Sequence, residues 1–235
     1  MTEVFLPILA LGDMLDPATR MKVRTAIVML IAFVLSIAVH EFGHAFIADR
    51  LGDSTPRYQG RVTLNPIAHA DPIGTIALPL IGIFLGGMVI GWGKPVMVNP
   101  TAFTRRLRMK TAHMIVAFAG PLMNVLMAFA ITVLLAILVK TGVLKGHAEL
   151  ANGIAQVIYL NWLLFFFNLI PVPPLDGGAV LAGLLPDKAQ NVVDFLNQYG
   201  FIILIGLLLS GVLSVLMTPA GWLAHISFQV AGLLP

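Results

Sequence analysis

From Thr111 to Val139 the chain runs without a single Asp, Glu, Lys or Arg. At about 1.5 Å per helical residue such a run exceeds a hydrocarbon core of roughly 30 Å. In lipid every backbone N–H and C=O must be satisfied internally, so a run of this kind folds as a helix. Comparable apolar stretches occupy Val23 to Ala48, Ile73 to Trp92, about Ile154 to Ile170, and a final pair, Phe201 to Met217 and Gly221 to Leu234, divided by Pro219. With 58% hydrophobic residues, 11% charged residues and a mean hydropathy of +0.94, a soluble globule is excluded. The expected fold is an all-α polytopic membrane protein.

The net charge of +3 is small and its basic residues sit beside apolar segments, which suits anionic headgroups and gives no signal for nucleic acid. The chain has no cysteine, so disulfides, thiolate ligands and a cysteine nucleophile are excluded. Glu3, Asp13 and Asp16 interrupt the N-terminus, which therefore lacks the pattern of a cleaved signal. Phe5 to Leu15 is too short to span and is expected along the interface. Three parts follow: an interfacial segment over 1–22, a membrane core over 23–178 and C-terminal membrane helices over 179–235.

In "PRYQGRVTLNP", Tyr58, Gly60, Val62 and Leu64 alternate with Arg57, Gln59, Arg61 and Thr63. A period of two predicts a short membrane-associated β element with one apolar face, and "GKPVMVNP" at Gly93 to Pro100 could pair with it.

Chemistry enters with "HEFGH", His40 to His44. Residues four apart on a helix share a face, so both imidazoles can ligate one metal, and Glu41 lies about 100° round from His40, within reach of a water between them. This is the H-E-x-x-H arrangement, in which the carboxylate serves as general base. The plain alternative is a pair of helix histidines bonded to neighbouring helices. Against it stands the cost of ionisable groups within a span, a few kcal/mol or more, in a chain whose only glutamates are Glu3, Glu41 and Glu149. A catalytic zinc needs a third protein ligand. Asp176 is the best candidate, because "FNLIPVPPLDGG" sets a carboxylate after three prolines that break a helix at membrane depth.

HEFGH, the N-x-x-P-x-x-P-x-D-G pattern at Asn168 to Gly177, and "AFAGPLMN" at Ala117 to Asn124 together resemble the site-2 protease family of intramembrane zinc metalloproteases, peptidase family M50, in a minimal form without PDZ or CBS domains. The resemblance implies one Zn²⁺ per chain held by His40, His44 and Asp176. It makes Glu41 the catalytic base and places Asn124 near substrate or the oxyanion. The implied partners are the lipid bilayer and a membrane-anchored protein substrate cleaved in or near its transmembrane segment; self-association into a homo-oligomer stays open. Unwound substrate could add as a strand to the β element. A zinc transporter would draw on the same residue types but on more of them, and a proteolytically silent scaffold could keep the fold.

A shared metal also constrains topology. His44 and Asp176 both lie toward the C-terminal ends of their helices, so those helices run parallel and an even number of crossings separates them. The Gly/Pro-rich segment Ile73 to Trp92 is therefore expected to be re-entrant. The metal then shares a side with Arg105, Arg106, Arg108 and Lys110, which indicates the cytoplasmic side of the cell membrane. His69 is read as a loop histidine with a local hydrogen bond, or as a residue lining the site; His113, His147 and His225 have no spacing that links them to the metal.

Overall fold

A computed structural model describes residues 16–84 and 91–234. The interfacial expectation for Phe5 to Leu15, and the middle of the Ile73 to Trp92 segment, lie outside the described residues. Among the described residues, four helices are long and apolar enough to cross a membrane. Helix α1, Pro17–Arg50, opens on the N-cap Asp16, whose carboxylate accepts from the amides of Ala18 and Thr19 at 3.0 Å each. After two short helices, α2 (Thr55–Tyr58) and α3 (Pro66–His69), come a π-helical turn at Pro72–Ala77 and α4 (Leu78–Phe84). Helices α5 (Met109–Lys140) and α6 (Ala148–Asn168) follow as an antiparallel pair. The short α7 (Asp176–Leu184) leads to α8 (Gln190–Leu209), α9 (Val212–Leu216) and α10 (Thr218–Val230).

The bundle packs α5 at its centre, against α1, α6 and α7, while α10 closes on α6. Its contact surfaces are built from small residues. Ala38, Ala45 and Ala48 on α1, and Ala112, Ala119 and Ala128 on α5, are all buried. Lipid tails are as apolar as leucine, so close backbone approach and dispersion, rather than transfer from water, hold such helices together. Among the outward side chains, Leu126, Phe129, Val133 and Ile137 of α5 are exposed, as a lipid-facing surface requires.

The chain leaves α1 and enters α5 at neighbouring points. The amide of Thr104 donates to the carbonyl of Leu51 at 2.6 Å, so the intervening stretch begins and ends at one level. Within it the amide of Trp92 donates to the carbonyl of Gly74 at 3.1 Å, and the Thr75 hydroxyl donates to the carbonyl of Trp92 at 2.7 Å. The two ends of the Gly/Pro-rich segment are thus tied together. Buried Asp53 fixes the rest, its carboxylate accepting from the Thr55 amide at 2.9 Å and the Asn99 amide at 2.6 Å.

The expected β element is not there: among the described residues there is no strand. Pro56 starts a helical turn instead, Arg57 clamps Asp49 through two hydrogen bonds at 2.8 and 2.6 Å, and Gly60 reverses the chain at φ +68°. The expected apolar face is not buried either, since Tyr58 is 88% exposed and Leu64 57%, whereas Arg61 is 6% exposed. Alternation over eight residues was outweighed by the turn chemistry of proline and glycine and by carbonyls that draw Arg61 inward. The C-terminal boundaries shift as well. Gly211, at φ +74°, ends α8 by Leu209, so the helix occupies Gln190–Leu209 rather than Phe201 to Met217.

Candidate metal centre

The centre forms where α1 crosses α5, roughly 16 Å along α5 from its start at Met109 at about 1.5 Å per residue. Two glycines permit that crossing. A Cβ on Gly43 would stand 2.6 Å from the carbonyl oxygen of Ala119, and one on Gly120 would strike the rings of His44 and His40. Pro121 follows within the helix. Lacking an N–H, it leaves the carbonyl of Ala117 without its helical donor, which loosens the ladder beside the histidines.

Both imidazoles are buried, and each is held by its Nδ1. That of His44 lies 2.8 Å from the carbonyl oxygen of Val116, an acceptor only, so Nδ1 carries the proton. That of His40 lies 2.8 Å from Asn124 Oδ1. The orientation of the Asn124 amide follows from its other contacts, Nδ2 donating to the Ser36 carbonyl at 3.3 Å and to Asn161 Oδ1 at 3.0 Å. Asn161 in turn donates to the Val157 carbonyl at 2.9 Å and to the Ser36 hydroxyl oxygen at 3.0 Å. Two backbone carbonyls therefore fix the whole chain of amides, and His40 Nδ1 must also be the donor.

As neutral imidazoles, the form that binds a metal, both rings then present Nε2 lone pairs, only 3.1 Å apart. Asp176 joins them, Oδ2 at 3.0 Å from His40 Nε2 and Oδ1 at 3.3 Å from His44 Nε2. It is delivered by the break that ends α6. Pro171, Pro173 and Pro174 carry the backbone from Asn168 to the first residue of α7, and Gly177 and Gly178 lie so close to the carbonyls of Leu169 and Ile170 and to Pro173 that a side chain would not fit.

Two nitrogen lone pairs and a carboxylate facing one point repel one another unless a cation sits among them. Ligand atoms of His40, His44 and Asp176 all lie within 4.8 Å of one another. The 3.1 Å between the nitrogens is close to the about 3.3 Å that separates two nitrogens on a tetrahedral zinc. The donor set fits zinc, with the outer hydrogen bonds that orient metal-binding histidines already in place.

Glu41 stands beside this cluster but outside it, its Oε2 accepting from the Val96 amide at 3.1 Å. Asn124 is fully buried with both halves of its amide engaged. His69 is also fully buried; it donates from Nε2 to the Thr63 carbonyl at 2.9 Å and is not among the clustered groups. Sequence reasoning passed over Ser36, Asn161, the Val116 carbonyl and the Val96 amide. Only Asn161 carried a signal, as an amide inside the apolar run "VIYLNWLLFFFN".

Known proteins resemble the chain over most of its length. Residues 28–159 and 147–207 match the family described as Peptidase family M50. The chain is 35% identical over 195 residues to a Bacillus subtilis protein named as a zinc metalloprotease, YwhC, covering 81% of this chain and 84% of the relative. It is 34% identical over 189 residues to Rip2 of Mycolicibacterium smegmatis and 33% identical over 190 to Rip2 of Mycobacterium tuberculosis, both also named as zinc metalloproteases, covering 80% of this chain and 69% of each relative. No solved structure matches the chain. Histidines, carboxylate and family agree, and the chain belongs to peptidase family M50, the site-2 protease family of metalloproteases.

Proposed function

We propose that this protein is an intramembrane zinc endopeptidase, hydrolysing a peptide bond in or near the transmembrane segment of a membrane-anchored protein. The observation that carries the proposal is the assignment of the two Nδ1 protons, which leaves both Nε2 lone pairs and the Asp176 carboxylate directed at one point beside Glu41. His40, His44 and Asp176 would hold one zinc ion. Zinc, when bound, supplies Lewis acidity and brings the pKa of water toward about 7.

The protein's own residues do the rest. Glu41 accepts a proton from the attacking water and returns it to the departing amine; its hydrogen bond from Val96 sets the carboxylate without neutralising it. Asn124 and the Val116 carbonyl hold the histidines in the tautomer that presents Nε2. With its amide engaged on three sides, Asn124 acts through His40 rather than on the substrate. Burial of the centre about a third of the way along α5 keeps bulk water out, and a helical substrate must unwind to expose a carbonyl to it.

The tied ends of the Ile73 to Trp92 segment support a re-entrant excursion from the side on which the site opens. The cytoplasmic side suits that end. Of the 14 Lys and Arg residues, only Arg20, Lys22, Arg24, Lys140 and Lys145 lie toward the other.

Cleavage of labelled transmembrane peptides by purified protein tests the reading. Wild type should cut, and Glu41→Gln should not, while retaining zinc. Cleavage by Glu41→Gln would remove the base; a wild type that carries zinc across vesicles but cuts nothing would favour a transporter.

A further inference from the structure

A pocket of about 460 Å³ lies next to the run that holds Glu41, lined by Gln59, Arg61, Lys94, Pro95 and Met97. Its chemistry is one-sided. Arg61 is 6% exposed, and a guanidinium removed from water is costly unless its charge is matched. Arg61 Nη1 donates to the carbonyl of Ala68, in a short bond, and to that of Lys94 at 3.3 Å. Among the described residues these are its only acceptors; Nε and Nη2 have none, and no carboxylate pairs with it. Ion pairs among the described residues lie elsewhere, such as those of Arg24 with Glu149, Arg57 with Asp49 and Lys110 with Asp187. Exposed Lys94 likewise has no anionic partner among the described residues. Two cations and an amide thus line a pocket that contains no carboxylate.

The remaining walls narrow the ligand. Pro95 and Met97 give an apolar surface for a short aliphatic stem, so the pocket suits a carboxylate carried on methylenes better than a bare phosphate. Its position matters too. Lys94 precedes Val96, whose amide holds Glu41, by two residues, at most roughly 7 Å of backbone. Trp92 and Lys94 are in turn anchored, by the carbonyls of Gly74 and His69, so the wall of the pocket and the amide that holds Glu41 belong to one anchored run.

We infer that this pocket receives an acidic side chain of the substrate, a Glu or Asp within about three residues of the scissile bond, with Arg61 and Lys94 as specificity-determining residues. The inference rests on the endopeptidase reading and deepens it.

The test separates the two. Glu41→Gln protein in phosphatidylcholine nanodiscs is titrated with fluorescein-labelled Leu/Ala transmembrane peptides, a single Glu being walked through the half facing the site and each peptide paired with its Gln and Lys counterparts. At one or two adjacent positions the Glu peptide should bind roughly tenfold more tightly than the Gln peptide, the size of one charge-assisted hydrogen bond. Lys94→Glu, a change at an exposed position, should abolish that preference and shift it toward the Lys peptide; Arg61→Lys should weaken it. No Glu–Gln difference at any position, or a difference that Lys94→Glu leaves intact, would overturn the inference. Phosphatidylglycerol nanodiscs provide the other arm: if Lys94→Glu lowers only retention of that lipid and no peptide preference exists, a lipid headgroup is the occupant and the substrate assignment fails. With Glu41 restored, peptides that bind by their Glu yet are never cut refute the endopeptidase alone, whereas cutting without acidic preference refutes only the pocket.

Discussion

Asn124 Oδ1 accepts the Nδ1 proton of His40 over 2.8 Å, although the two residues are 84 positions apart in sequence and on different helices. The amide cannot rotate to offer its nitrogen instead, because Nδ2 is already directed at the Ser36 carbonyl and at Asn161. Outer hydrogen bonds of this kind commonly govern metal affinity by about 10–100-fold. Asn124→Ala should therefore weaken zinc binding by roughly that factor in competition with a chelator, and excess zinc should restore most of the cleavage. Asn161→Ala, one bond further out, should show the same effect with smaller size. If Asn124→Ala kept full zinc affinity and lost only turnover, direct contact with the oxyanion would be the better account.

Gly120 faces both imidazoles with no room for a methyl group. In an isolated helix Gly→Ala is favourable by about 1 kcal/mol, so Gly120→Ala should leave α5 helical and remove the metal. Circular dichroism near the wild-type value, combined with substoichiometric zinc after purification, is the expected result. Stoichiometric zinc would mean that α1 and α5 can part without disturbing the ligands.

The parts of this site legible in the sequence are those whose spacing is local. His40 and His44 share a helix face whatever surrounds them, and the three prolines before Asp176 announce a break wherever α6 lies. The even-crossing argument likewise needed only ligand positions, and the Leu51–Thr104 bond is compatible with it. Partners drawn from other helices left no such trace: nothing within 40–44 indicates the Val116 carbonyl or the Val96 amide. The strand expected at Arg57 to Leu64 failed for a related reason. Alternation reports which side chains could share a face, but Arg61 was turned inward by carbonyls of Ala68 and Lys94, the second of them 33 residues away.

At the opposite end of α1, the Asp16 carboxyl is held below its ordinary value of 3.8, chiefly by hydrogen bonds from Thr19 and also from the Ala18 amide. A carboxylate with a lowered folded pKa stabilises the fold above the unfolded value, and that contribution disappears as pH falls through the lowered one. The amide chemical shifts of Ala18 and Thr19 should therefore titrate with a midpoint below 3.8. Asp16→Asn, which caps without titrating, should flatten the response. A midpoint above 3.8 would contradict the capping role.

Removal of metal supplies a test that needs no substrate. A ligand that binds only the folded state stabilises it by RT ln(1 + [L]/Kd), about 2.7 kcal/mol at a free concentration of 100 Kd. For a chain of this length each kcal/mol moves Tm by about 2–4 °C. Zinc at that excess should thus raise Tm by roughly 5–10 °C over a chelated sample in the same detergent. His40→Ala, which removes one of the two converging Nε2 atoms, should lose most of that response, while Glu41→Gln should keep it, since Glu41 lies outside the ligand cluster. Equal responses in wild type and His40→Ala would place the stabilising zinc elsewhere on the protein and leave the three converging side chains without a metal to explain them.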